Sequence, residues 1–182
     1  MAPAIPAQQA GFDPATCPHD DHPPSCTICA STWTLVLVCP AGQRIWSAND
    51  GRPHWTKVLR RRRLWQILAA AEVQKAGVPY LHRATVQVTI HLERWAQADA
   101  HNYPGGPALK GALDGLLPGE KWKPPRPGYR GVVADDQGEF LAMPAMPTLA
   151  PAAGLRSTQT RFEELGPPRI VLVIRPGVGV VA

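Results

Sequence analysis

The chain has no run of about 20 consecutive apolar residues, so its sequence contains no membrane span. It also lacks a basic segment leading into an apolar stretch at its start, so no secretory signal is expected. No internal repeat is visible, which sets repeat architectures aside. The four cysteines therefore read as those of a reducing, cytoplasmic protein, in which thiols or metal sites are expected rather than disulfides.

At 182 residues the chain has the size of one ordinary domain. Its 21 prolines and 16 glycines are too many for compact structure throughout. They concentrate in residues 1–30, 118–131 and 143–154, which are expected to be loops or tails. Residues 1–30 read as a flexible tail. Residues 31–182 read as one domain carrying a proline-rich insertion near 118–131.

Nineteen basic and fourteen acidic side chains leave a net charge of +5, a mild lean toward polyanions. The distribution carries more information than the total. Arg60, Arg61, Arg62 and Arg63 are consecutive, and Arg52, His54 and Lys57 precede them. A second basic set, Lys121, Lys123, Arg126 and Arg130, surrounds Trp122 and Tyr129, whose rings could stack on unpaired bases. Either set could equally be a solvated face.

"WTLVLV", residues 33–38, is β-branched and apolar and predicts a buried strand stopped by Pro40. "SANDGRPH" (47–54) is turn chemistry. From about Trp55 to Ala76 the pattern is helical, ended by Gly77 and Pro79, with Leu64, Leu68 and Ala71 on one stripe flanked by Trp65 and Ile67. The four arginines fan out at ~100° per residue, so at least two must face away from any core.

"TVQVTIHLE" (85–93) alternates strictly, with Val86, Val88, Ile90 and Leu92 on the buried face. Pro107 then suits the first turn of a short helix on which Leu109, Leu113 and Leu116 share a stripe. Lys110 and Asp114 lie at i, i+4 on another. "GVVADD" (131–136) predicts a short strand ending in acids, and "RIVLVIR" (169–175) a buried closing strand. The sum is an α/β or α+β protein with one small mixed sheet and helices packed on it.

Strand ends and a helix face can bring Asp99, Asp135 and Asp136 to one point. Ionised carboxylates repel, so such a cluster calls for a cation, and hard oxygen donors suit Mg²⁺ or Mn²⁺. Acids at strand ends can as well be solvated loop residues.

The order "DAHN" (99–102), a lysine (Lys110), "ALDGL" (112–116) and "VADDQ" (133–137) resembles the RusA-type Holliday-junction resolvases. That family shows D-x-D-N, then K-x-x-x-D-x-L, then D-D-x-x. The spacer "NYPGGPALK" resembles that of phage-type members. The resemblance spans roughly residues 32–176, and the order of strands and helices agrees with it.

It implies a dimeric, Mg²⁺-dependent endonuclease that cuts paired strands of branched DNA at four-way junctions. It further implies catalytic or metal-binding roles for Asp99 and Asp136, with Asp135 beside them and Lys110 as the functional lysine. Asn102 and Asp114 match further motif positions. The family's second aspartate is His101 here, and an imidazole suits softer metals such as Mn²⁺. Arg60 to Arg63, Lys121 and Lys123 would then contact DNA phosphates.

A separate cluster, Cys17, His19, His22, Cys26 and Cys29, includes a C-x-x-C. Cys17, His22, Cys26 and Cys29 could hold Zn²⁺; the alternative is a tail without metal. Cys39 reads as a packed thiol. Two other functions stay open beside the nuclease. One is a nucleic-acid-binding module with a degenerate site, and the other a zinc-bearing adaptor with merely superficial acids.

Overall fold

The structure is a computed structural model and describes residues 28, 30–50, 54–92, 98–118, 129, 131–134, 141–143, 146–151 and 167–177. Five strands form one mixed sheet: β1 (Trp33–Val38), β2 (Ala84–Leu92), β3 (Leu141–Ala142), β4 (Thr148–Pro151) and β5 (Arg169–Pro176). The spatial order is β1-β5-β2, all antiparallel, with β3 and β4 parallel to β2 on its far side. β3 pairs with Ala84–Thr85 and β4 with Thr89–Leu92, so the two share one edge of β2.

Period-2 alternation fixes the buried face. Leu35, Leu172 and Val88 form one cross-strand row, and Leu37, Ile170 and Ile90 form the next. All six are buried and join the helices in one core cluster. Thr34, Val36, Val38 and Gln87 on the other face are exposed.

Two helices complete the fold, α1 (Trp55–Lys75) and α2 (Pro107–Asp114). α1 buries Trp65, Gln66, Ala69, Ala70 and Val73, whereas Leu64 and Leu68 are half-buried and Ala71 and Ile67 are exposed. The expected Leu64–Leu68–Ala71 stripe is therefore wrong by roughly one residue of rotation. The reason is the helix contact: Ala69 is small enough to lie against Gly115 at the end of α2, where a leucine would not fit.

α2 answers with glycines spaced four apart. A Cβ on Gly111 would overlap the carbonyl oxygen of Arg62, and one on Gly115 would lie 2.7 Å from that of Gln66. The two helices touch backbone to backbone.

Residues 131–134 form a bend, not the expected strand. Val132 donates its N–H to the Leu116 carbonyl at 2.6 Å and accepts from the Leu81 N–H at 2.7 Å. Its polar groups bridge two different segments, so no ladder can form. Val132 and Val133 are both fully buried, which strand alternation over one core would not give. β3 and β4, too short for alternation to announce them, supply the far edge of the sheet. No helix among the described residues is long and apolar enough to cross a membrane.

Candidate functional site

The chain leaves β2 and is next described at Ala98, where Asp99 opens a single 3₁₀ turn, Ala100–Asn102. Asp99 is its N-cap, with Oδ1 accepting the His101 N–H at 3.0 Å. Oδ2 has no hydrogen-bond partner among the described residues, and Asp99 and His101 are both exposed.

That turn is fixed by a second loop, residues 44–50. The Ala48 N–H donates to the Asn102 carbonyl at 2.6 Å, and Asn49 Nδ2 donates to Asn102 Oδ1 at 2.7 Å. Gly106 lets the two backbones approach, since a Cβ there would stand 2.7 Å from the Trp46 carbonyl oxygen. Asn102, a motif position of uncertain role in the sequence, thus holds the turn in place.

Loop 44–50 is itself braced. Asp50 accepts from Arg44 Nη2 at 2.8 Å and from the Ser47 N–H. The Arg61 guanidinium lies 3.7 Å from the centre of the Trp46 ring, and Arg44 lies 5.6 Å from it. Tyr103, buried beneath, has its hydroxyl pKa pushed above the usual value by burial and then by the charge of Asp50, with Arg44 partly opposing. The sequence showed "SAND" only as a turn, and nothing in its spacing foretold Arg44, Trp46 and Asp50 as supports.

α2 starts directly after Gly106, whose carbonyl accepts the Lys110 N–H at 3.0 Å. Lys110 is exposed and forms no ion pair among the described residues. Lys110 and Asp114, one turn apart on α2, do not pair. Asp114 instead accepts from Arg62 Nε across the two helices, where its side chain is only 13% exposed. The glycine contact brings α1 near enough for this pair to form.

The four arginines divide accordingly. Arg60 and Arg63 are exposed, while Arg61 lies on Trp46 and Arg62 is paired with Asp114. Tyr129, expected as a stacking ring, is buried, and its hydroxyl donates to the Gly115 carbonyl at the end of α2. Cys39 is buried, in keeping with the expected packed thiol.

Asp135, Asp136, Lys121, Lys123, Cys17, His19, His22, Cys26 and Cys29 lie outside the described residues. The chain reaches the surface at Ala134, one residue before the acidic pair. Among the described residues no three His, Cys, Asp or Glu side chains cluster. The described donors facing solvent at the turn are one carboxylate oxygen of Asp99 and the His101 imidazole. That pair could fill two positions of a divalent cation that keeps waters. No protein-family model, curated protein or solved structure matches the chain.

Proposed function

We propose that the chain is a metal-dependent, structure-selective endonuclease of RusA-like type, hydrolysing phosphodiester bonds at four-way DNA junctions. One observation carries the reading beyond the motif. The fold uses Asp50 and Asp114 in ion pairs with arginines, yet leaves Asp99, His101 and Lys110 exposed on one continuous, backbone-braced segment. All three face solvent at motif positions, and Asp99 keeps one carboxylate oxygen beyond the one that caps the turn.

Asp99 and His101, with Asp135 and Asp136, would hold Mg²⁺ or Mn²⁺. Such a cation, when bound, polarises the scissile phosphate and lowers the pKa of attacking water. Lys110 would offset charge that builds on the phosphate oxygens. Arg60 and Arg63 would grip the arms without reading sequence.

The test is cleavage of a labelled four-way junction and a linear duplex in Mg²⁺ or Mn²⁺. Asp99→Asn is the informative variant, because asparagine caps a turn as well as aspartate does and removes only the charge. It should abolish cleavage while junction binding is kept. Cleavage at the natural rate would remove Asp99 from the site.

A second reading, a junction-binding protein with a degenerate site, is favoured by His101 standing where the family has a carboxylate. His101→Asp decides between them. Mg²⁺-supported cleavage should rise relative to Mn²⁺-supported cleavage, since the hard cation gains an oxygen donor. A natural protein inactive in both metals, with tight binding, would establish the second reading.

A further inference from the structure

β1 is the end strand of the sheet: it pairs with β5 on one side and with no strand on the other among the described residues. Proteins guard such edges with lysine, proline, bulges or inward charges, because unpaired N–H and C=O groups recruit other strands. Residues 33–38, "WTLVLV", carry none of these guards. The strand is six residues long, in register with β5 along its whole length, and leaves Val36 41% and Val38 45% exposed on the outer face.

We propose that the free edge of β1 pairs antiparallel with β1 of a second copy of this chain, joining the two sheets into one continuous sheet across a two-fold axis at Val36. The inference rests on the fold rather than on the nuclease reading, although it supplies a seam for the dimer that reading implies.

The sequence of the strand is self-complementary in that register. Val36 meets Val36 of the second copy, Thr34 meets its Val38, and Leu35 meets its Leu37. Every pair keeps like faces together, outer with outer and core with core, as side-chain alternation requires. Both exposed valines gain a β-branched partner, a favourable cross-strand pair. An axis at Leu35 would also match faces, but it would leave Val38 opposite Thr32 at the end of the ladder.

The charges on the described strands do not oppose the seam. β1 has no ionisable residue, and the charges on the neighbouring strand, Arg169 and Arg175, sit one strand back on β5. Across the axis, β5 and its counterpart are three strand spacings apart, about 14 Å. That exceeds the Debye length of about 8 Å at physiological ionic strength, so the repulsion is screened. A two-fold seam also closes on itself, and so ends in a dimer and not a fibre.

Native mass of the full chain, followed through a dilution series, tests this. The natural protein should run at twice the 19.7 kDa of one chain. Val36→Lys places on the edge the residue that natural edges use as a guard, and should give a monomer with an unchanged circular dichroism spectrum. Val36→Cys should cross-link to itself on oxidation, since Cα atoms facing each other across antiparallel strands are about 4.5–5.5 Å apart, within disulfide range. The natural protein, treated alike, is the control for its own thiols. A natural protein that is monomeric throughout, a dimer that survives Val36→Lys, or a Val36→Cys protein that does not cross-link would each overturn the seam. Loss of cleavage in Asp99→Asn leaves these masses unchanged, so the two readings fail separately.

Discussion

At the scale of single residues, the acids of this chain do two kinds of work, and their partners tell them apart. Asp50 is matched to an arginine of its own loop and Asp114 to one on the facing helix, and both are largely shielded from water. Asp99 spends one oxygen on the turn it caps and offers the other to solvent. Tyr103 reports on this arrangement, because its hydroxyl is buried beside the Asp50 carboxylate. Its pKa is raised on folding, so the folded protein holds that proton where the unfolded chain has begun to release it. Stability is therefore unaffected below about pH 10 and falls as pH climbs through the folded pKa. Ultraviolet titration should show late-ionising phenol, and Tyr103→Phe should lower the amplitude of that late phase by one tyrosine. A Phe variant with the full late amplitude would mean that Tyr103 is not held protonated by its surroundings. Asp50→Asn should bring the transition back toward the ordinary range, because it deletes the nearby negative charge.

Among the elements, the crossing of α1 and α2 sets the position of Lys110 on α2 and of the Arg62–Asp114 pair. Replacing a mid-helix glycine by alanine ordinarily stabilises a helix by about 1 kcal/mol. At Gly111 the sign should reverse, because the added methyl would overlap the Arg62 carbonyl oxygen. Overpacking of this kind costs about 1–3 kcal/mol, and each kcal/mol is worth about 2–4 °C of Tm in a chain of this size. Thermal melts of Gly111→Ala check it, and a higher Tm would mean the helices have room to spare. The same crossing shows what the sequence could and could not reveal. β1, β2, β5, the extent of α1 and the start of α2 were legible because alternation, helical spacing and the Gly77 and Pro107 punctuation are local signals. The buried stripe of α1 was not, since its orientation is set by glycines on a different helix, far along the chain. Leu64 and Leu68 satisfied the helical period and still lost their place to Ala69 and Ala70. Asp99, His101 and Lys110 could be picked out by motif order, but the bracing by Trp46, Arg61 and Asp50 is a tertiary fact with no period to betray it.

Over the whole molecule, the excess of positive charge matters through where it is left exposed. Four consecutive arginines look like one basic patch, yet the fold withdraws half of them. Arg61 lies on the Trp46 ring and Arg62 holds Asp114, so changing either should lower Tm as well as any affinity for DNA. Arg62→Gln leaves the largely buried Asp114 carboxylate without its guanidinium and should cost about 1–3 kcal/mol. Arg60 and Arg63 are exposed and can be changed without disturbing a described interaction. If they bind phosphates, Arg60→Gln with Arg63→Gln should weaken binding to every DNA sequence alike. The double change should also flatten the slope of log K against log salt by about 0.9 for each phosphate no longer neutralised, close to 2 for the pair. Tm should stay where it was. Binding isotherms on a four-way junction and a duplex across a salt series, read beside thermal melts of the same variants, separate the two roles. A slope that does not move would make Arg60 and Arg63 a solvated face, and the grip on DNA would then have to come from Lys110 and from basic residues elsewhere in the chain.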